Sequence, residues 1–189
     1  MAVIPQGIDA DWHESHLLIQ VMNIGPVPRK ELFNRVREQQ SKKVVLGEKG
    51  ITHSRRAYKY WLDDLIDNQI AIEGEEQPRL TALGKWIANS QTGTLEDRYL
   101  FICNLTCLDC RKKHGRIVVL KLERSAAITN SEGRVFMDTQ CPRCGKSENR
   151  RGVHEGFSVD QFIRFYDQAM SELRKTVRNM LEVILPELP

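Results

Sequence analysis

Residues 107–110 read Cys-Leu-Asp-Cys, and residues 141–145 read Cys-Pro-Arg-Cys-Gly. In each motif two residues separate the cysteines, a spacing that lets two sulfur atoms converge on one metal ion. Zinc suits such a site because it binds four thiolates tetrahedrally without redox chemistry. With every position filled by protein, the ion would be structural rather than catalytic. The sequence therefore predicts one Zn2+ with four ligands, which are Cys107, Cys110, Cys141 and Cys144.

The chain between the two motifs is typical of a β-hairpin. Residues 116–123 and 134–139 are rich in β-formers, and a turn-forming stretch at residues 129–133 separates them. This arrangement resembles a zinc ribbon, in which two cysteine knuckles hold one metal and metal binding supplies about 10 kcal/mol or more of folding free energy. An unmetallated thiol pair or a redox motif is the alternative. Cys103 is interpreted as a buried thiol, with a ligand exchange with Cys107 as the alternative.

The composition of the 189-residue chain is that of a globular protein. Apolar residues make up 41% of it, enough for a packed core, and no stretch approaches the roughly 18 apolar residues of a transmembrane helix. Because the N-terminus lacks the basic start and apolar run of a secretory signal, we expect a cytoplasmic, nucleoid-associated protein, or a nuclear one in a eukaryote. Thiols stay reduced there, which favours metal ligands over disulfides.

Residues 1–93 show a pattern of helices followed by a hairpin. Helical spacing of apolar residues predicts one helix over residues 13–22, a second that begins at Pro28, and a third capped by Thr52 or Ser54. Residues 70–72 and 79–81 then predict a hairpin, after which Thr81 could cap a last helix. The third helix has the clearest apolar stripe, which comprises Tyr58, Trp61, Leu62, Leu65 and Ile66.

This order resembles a winged helix-turn-helix domain. The run Pro-Arg-Leu-Thr-Ala-Leu-Gly-Lys at residues 78–85 is similar to the returning wing strand and following helix of such domains, and the resemblance covers about residues 12–90. It implies that the third helix reads the major groove of DNA. Residues 39–51 form a longer connection than the usual turn before that helix, and they either include a short strand at residues 43–46 or alter the interhelical angle.

The outward face of the third helix is the predicted DNA-reading surface. Arg can pair with guanine, whereas Lys and Tyr more often contact phosphate. The predicted DNA-binding residues are His53, Ser54, Arg55, Arg56, Lys59 and Tyr60. Glu73, Glu75 and Glu76 in the predicted wing would repel phosphate, so we do not expect the wing to enter a groove. A protein-binding face is the alternative.

A second basic patch accompanies the cysteine motifs. The net charge is +3, and basic residues outnumber acidic ones in residues 1–60 and 101–155 but not in residues 61–100. Phosphate contacts from such a patch would be sequence-independent and salt-sensitive, whereas a role in solubility is the alternative. The patch comprises Arg111, Lys112, Lys113, Arg116, Arg143 and Lys146, with Arg150 and Arg151 close by in the sequence.

Residues 158–189 predict a long helix that begins with a capping box, Ser158-x-x-Gln161, and ends at Pro186. Its apolar residues alternate steps of four and three, the period of a coiled coil. The helix either pairs with a second copy or packs along its own domains, and homodimerisation is the favoured hypothesis. The predicted dimerisation residues are Ile163, Tyr166, Met170, Leu173, Val177, Met180 and Ile184.

The whole sequence predicts an α+β protein of three parts: a winged helix-turn-helix domain (1–93), a zinc ribbon (94–157) and a coiled-coil-like dimerisation helix (158–189). The expected function is double-stranded DNA binding by a transcription regulator. The combination also resembles the alpha subunit of general transcription factor E, although there the long helix lies between the two domains. An adaptor that contacts RNA polymerase or another machine is the alternative. Because no Ser/His/Asp set, phosphate-binding glycine loop or carboxylate pair is evident, we do not expect an enzyme.

Overall fold

The computed structural model describes residues 8–45, 55–74, 76–178 and 183–186, which form a mixed α+β architecture of helices and small sheets. The chain divides into two compact units, residues 1–89 and 90–189. The predicted ribbon (94–157) and the predicted C-terminal helix (158–189) both fall in the second unit. Among the described residues, no helix has the length and hydropathy that crossing a membrane requires.

The first unit contains three helices, a short hairpin and a fourth helix. Its elements are α1 (Ile8–Ile24), α2 (Arg29–Val45), α3 (Arg55–Asp67), β1 (Ala71–Ile72), β2 (Arg79–Leu80) and α4 (Ala82–Asn89). α2 begins where the carbonyl oxygen of Pro28 accepts hydrogen bonds from the N–H groups of Glu31 (2.8 Å) and Leu32 (3.0 Å). Apolar faces of the helices meet in a core whose buried side chains include Leu18, Ile19, Val36, Leu65, Leu83 and Ile87.

The second helix is longer than the sequence analysis expected. α2 continues to Val45, so residues 43–45 are helical and the suggested short strand does not form there. Glu, Gln and Lys dominate residues 38–43, and these straight-chain side chains lose little rotamer freedom in a helix. The remainder of the predicted connection, residues 46–51, lies outside the described residues.

The predicted hairpin and the predicted cap of the last helix are confirmed. β1 and β2 pair antiparallel, with Ala71 opposite Leu80. Oγ1 of Thr81 accepts a hydrogen bond from the backbone N–H of Gly84 (3.1 Å), which caps α4. A side chain at position 84 would overlap the carbonyl oxygen of Ile70, so only glycine lets α4 pack this closely on the chain that enters β1.

The second unit combines two α-helices, a three-stranded sheet, a two-stranded sheet and a C-terminal helix. Its elements are α5 (Leu95–Asn104), α6 (Leu108–His114), β3 (Ile117–Val118), β4 (Lys121–Thr129), β5 (Arg134–Gln140), β6 (Ser147–Glu155), α7 (Val159–Val177) and β7 (Val183–Ile184). Strands β4, β5 and β6 form an antiparallel sheet in that order, whereas β3 and β7 pair in parallel.

The predicted hairpin of the ribbon forms between β4 and β5. Oδ1 of Asn130 accepts hydrogen bonds from the N–H groups of Glu132 (3.1 Å) and Arg134 (2.8 Å), and Gly133 adopts a φ of 77° in the same turn. The third strand, β6, was not predicted. Its sequence, Ser-Glu-Asn-Arg-Arg-Gly-Val-His-Glu, lacks the apolar alternation by which a strand is recognised, and only Val153 and His154 are buried.

The C-terminal helix packs inside its own unit, against β4 among other elements. Its capping box is confirmed: Gln161 N–H donates to Ser158 Oγ (3.2 Å), and Ser158 N–H donates to Gln161 Oε1 (2.9 Å). Four of the predicted dimerisation residues are buried in the single chain, and they are Tyr166, Met170, Leu173 and Val177. Their own unit already covers these four side chains, and the pairing of α7 with a second copy stays a prediction.

The width of the apolar face explains this outcome. Phe162, Phe165 and Ala169 are buried as well, so the face is wider than a two-stranded coiled-coil seam and suits packing against a core. Tyr166 fixes the contact further, since its hydroxyl donates to the carbonyl oxygen of Leu120 (3.0 Å).

The remaining predicted dimerisation residues differ from one another. Ile163 is half-buried. Ile184 does not belong to the helix, because it lies in β7, where it pairs with Val118 of β3. Met180 lies outside the described residues.

Candidate metal centre

The first cysteine pair lies at the start of a short helix. Cys107 immediately precedes α6 and Cys110 is in the first turn of that helix. The N–H of Cys107 donates to the carbonyl oxygen of Val118 (2.9 Å), which attaches this knuckle to β3. Gly115, with a φ of 59°, ends the helix and turns the chain toward the strand.

The second cysteine pair lies in the tight connection between β5 and β6. The N–H of Cys141 donates to the carbonyl oxygen of Lys146 (2.8 Å), and the N–H of Gly145 donates to that of Cys141 (2.9 Å). Gly145 has a φ of 70°, a conformation that glycine adopts without steric cost. The N–H of Cys144 points toward Sγ of Cys141 (3.5 Å), so the turn itself supports a thiolate.

The four sulfur atoms converge. All of them lie within 4.8 Å of one another, and the Sγ–Sγ distances from Cys107 to Cys144 and from Cys110 to Cys141 are both 3.7 Å. Four thiolates around a tetrahedral zinc ion, with Zn–S bonds of about 2.3 Å, have sulfurs about 3.8 Å apart. The cluster could therefore hold one metal ion, and its geometry is compatible with a single zinc.

The cluster is set into a small apolar core. Cys107, Cys110 and Cys141 are buried among Val118 and Leu120, with Ile184 packed alongside. Cys144 is the exposed member of the set. Three ligands are thus shielded from water while the fourth lies at the surface.

The buried and the exposed cysteines also differ in pKa. Burial raises the pKa of Cys107, and burial together with the neighbouring sulfurs raises that of Cys110 to about 12. The backbone N–H of Lys146 stabilises the Cys144 thiolate and lowers its pKa to about 7. A cation among the sulfurs would offset the cost of deprotonating the buried thiols.

An ion pair joins the two cysteine knuckles. Nζ of Lys146 lies 3.0 Å from Oδ2 of Asp109, the residue directly before Cys110. The hydrogen bond from Lys146 lowers the pKa of Asp109, and the same contact raises the pKa of Lys146. Lys146 belongs to the predicted basic patch, whereas Asp109 was not predicted to be functional; its only signal in the sequence is its position inside the Cys-Leu-Asp-Cys motif.

The rest of the predicted basic patch divides into two groups. Lys112, Lys113, Arg116 and Arg143 are exposed, and none of them forms an ion pair with a described residue. Arg151, by contrast, pairs with Glu148 (2.9 Å), and the guanidinium of Arg150 donates to the carbonyl oxygen of Ala126. Arg111 is half-buried. The sequence analysis missed His114, which is exposed in the last turn of α6.

The predicted DNA-binding residues of α3 are described in part. Lys59 and Tyr60 are exposed, and Tyr60 retains 65% of its accessible surface. His53 and Ser54 lie outside the described residues, as do the side chains of Arg55 and Arg56, whose backbone begins α3. The opposite face is buried as expected, through Tyr58, Trp61, Leu62 and Leu65.

Cys103 does not belong to the metal cluster. It lies in α5 and is half-buried, whereas Cys107 contributes the fourth sulfur. α5 itself was not predicted, although Thr94 and Asp97 form a capping box at its start.

Comparison of this chain with protein-family models, with curated proteins and with solved structures yields no match. The function is therefore inferred from the geometry of the cysteine cluster and from the distribution of exposed charge.

Proposed function

We propose that this chain is a zinc-stabilised DNA-binding protein that regulates transcription, with a winged helix-turn-helix in the first unit and a zinc ribbon in the second. The order of α1, α2, α3, the β1–β2 hairpin and α4 supports the first assignment. The convergence of four cysteine sulfurs from two knuckles beside a β-sheet supports the second.

Zinc in this site would have a structural role. The four cysteines fill every position of a tetrahedral ion, which leaves no open position for water or substrate. Bound zinc would cross-link the segment around α6 to the β5–β6 connection, because each of them contributes two of the four cysteines. The binding free energy of such sites, on the order of 10 kcal/mol or more, becomes folding free energy.

One observation carries the DNA-binding proposal: α3 buries one face and exposes another, on which Lys59 lies. Tyr58, Trp61 and Leu62 are buried, while Lys59 and Tyr60 face solvent. In a helix-turn-helix, the corresponding helix lies in the major groove with its N-terminal residues at the base edges. Arg55 and Arg56 occupy that N-terminal position in the sequence.

A second surface would contact the phosphate backbone. Lys112, Lys113, Arg116 and Arg143 surround the cysteine knuckles, are exposed and lack an ion-pair partner among the described residues. Part of their charge would compensate the net negative charge of a zinc ion with four thiolates. The remainder would attract DNA without regard to base sequence.

The β1–β2 hairpin is the feature that favours a different function. Glu76 is exposed at its turn, and Glu73 is neutralised only in part by an ion pair with Arg29. Ile24 and Ile72 are exposed apolar side chains of the same unit, with 76% and 38% of their surface accessible. These features suit a protein partner better than a phosphate backbone, so a protein-binding adaptor of a transcription machine is the second candidate.

Fluorescence anisotropy with mixed-sequence duplex DNA across a salt series tests the proposal. We expect binding whose logarithm falls linearly with the logarithm of salt concentration, with a slope reduced by about two in Lys112→Gln/Lys113→Gln. Lys175→Gln, an exposed lysine of α7, serves as the control and should leave the slope unchanged. Absence of binding at about 50 mM salt would contradict DNA binding and favour the adaptor.

A further inference from the structure

An open groove crosses the first unit between α1, α2 and α3. Its volume is about 1050 Å3. The floor is apolar, since Leu18, Leu32, Tyr58 and Leu62 line it and are all buried. Phe33 forms one wall and packs edge-on against Tyr58, with ring centroids 4.8 Å apart. Such a surface binds flat or branched apolar groups by contact with ring faces and edges.

The rim of this groove is positively charged. Arg29, Lys30 and Lys59 line it, and among the described lining residues Glu76 is the only acidic one. Arg29 is already paired with Asp63 (3.5 Å) and with Glu73. Lys30 and Lys59 are exposed and form no ion pair with any described residue. Two cations therefore stand over an apolar floor without a partner from the described part of the chain.

We propose that this groove binds a small amphipathic anion, namely an aromatic or branched apolar body that carries a carboxylate or sulfonate. The volume of the groove lies near the upper end of the range for small-molecule sites. Such sites combine an apolar lining with a few polar groups that orient the ligand. A neutral hydrocarbon would leave the two lysines unused, and a phosphate backbone would leave the apolar floor unused. Lys59 also lies on the face of α3 that is proposed to read DNA, so a bound anion and DNA would share this side chain.

Two fluorescent probes of matched shape test the site. The first is 1-anilinonaphthalene-8-sulfonate, which has an aromatic body and one anionic group. The second is N-phenyl-1-naphthylamine, the same ring system without the charge. In Lys30→Gln/Lys59→Gln we expect the dissociation constant of the anionic probe to rise about tenfold, as two partly exposed ion pairs are lost. Binding of the neutral probe should change by less than about twofold.

A charge-matched variant and a floor variant complete the experiment. Lys121→Gln/Lys175→Gln removes the same charge from exposed positions of the second unit and should leave both probes unaffected. Phe33→Leu, which keeps an apolar side chain, should weaken both probes. Unchanged affinity of the anionic probe in Lys30→Gln/Lys59→Gln, or an equal loss in both lysine pairs, would overturn the proposal. So would unchanged binding of both probes in Phe33→Leu.

Discussion

Nε2 of His154 lies 3.0 Å from Oδ1 of Asp97, and the two side chains are only 5% and 14% exposed. Asp97 also accepts a hydrogen bond from the backbone N–H of Thr94 (2.7 Å) at the start of α5. Phe157 stacks on the imidazole with ring centroids 4.3 Å apart. The pair thus joins α5 to the end of β6 in a largely dry environment, where removing one partner leaves the other uncompensated.

Replacing Asp97 with Asn should lower the free energy of unfolding by about 2 kcal/mol at neutral pH, because the contact with His154 is lost and the capping box is weakened. Burial alone would raise the pKa of Asp97, but His154 and Thr94 together hold it below its ordinary value of 3.8. The stabilisation should therefore be complete above that value and disappear as the pH falls through the folded-state pKa. Urea unfolding of the wild-type protein and of Asp97→Asn at a series of acidic pH values measures the difference in their free energies of unfolding.

Glu96→Gln is the matched control for that experiment. It removes a negative charge from the same first turn of α5 and leaves Asp97 in place. A loss of stability as large as in Asp97→Asn, with the same pH profile, would assign the effect to the helix dipole instead of the His154 contact.

Cys110→Ser should abolish retention of zinc, because the serine hydroxyl does not replace a buried thiolate ligand. Cys103→Ser serves as the control, since Cys103 lies outside the cluster, and it should retain one zinc per chain. Metal content after dialysis measures both. Chelation of the wild-type protein should unfold the second unit while the helices of the first persist in far-ultraviolet circular dichroism. Full zinc retention by Cys110→Ser would contradict the assignment of the ligands.

Asp109→Asn should accelerate zinc transfer to a chelator about two- to fivefold, because the ion pair that joins the two cysteine knuckles is lost at an exposed position. The reversed pair Asp109→Lys/Lys146→Asp should restore much of the wild-type rate. Glu148→Gln, which breaks the nearby pair with Arg151, is the control. Equal acceleration in that control would show that the effect is one of net charge.

Met170→Glu should cost more than about 3 kcal/mol of stability, because it places a carboxylate in the buried face of α7. Gln168→Glu adds the same charge at an exposed position of the helix and should be nearly neutral. Urea unfolding and sedimentation distinguish the two interpretations of this face. If the Met170→Glu protein keeps wild-type stability and only changes from dimer to monomer, the result would support the hypothesis that this face of α7 is a dimer interface.

Gly84→Ala should destabilise the first unit by about 1–3 kcal/mol, because the added methyl group overlaps the carbonyl oxygen of Ile70. Gly25→Ala is the control: its added methyl group would meet no atom within 4 Å, and stability should change by no more than about 0.5 kcal/mol. Thermal unfolding of the two variants compares them directly. Equal stabilities would mean that α4 can move away from Ile70 at little cost.

The parts of the fold that local chemistry decides were predictable from the sequence. The spacing of Cys107 and Cys110, and of Cys141 and Cys144, brings each pair together through one turn of backbone, and the convergence of the two pairs is confirmed. The caps at Thr81 and Ser158 are local as well, because each hydroxyl accepts from an N–H three residues later in the chain. The apolar stripe of α3 follows from helical periodicity in the same way.

Only the tertiary structure decided which surface covers each apolar face and which charges meet. As a pattern, the apolar residues of α7 fit either a second copy, which is the favoured hypothesis, or their own unit. Only the burial of these residues together with Phe162 and Phe165 shows that the unit covers them. In the sequence Lys146 has no evident partner, whereas in the structure the two knuckles place it beside Asp109, with which it forms an ion pair. Such contacts join residues distant in the chain, so no local pattern encodes them.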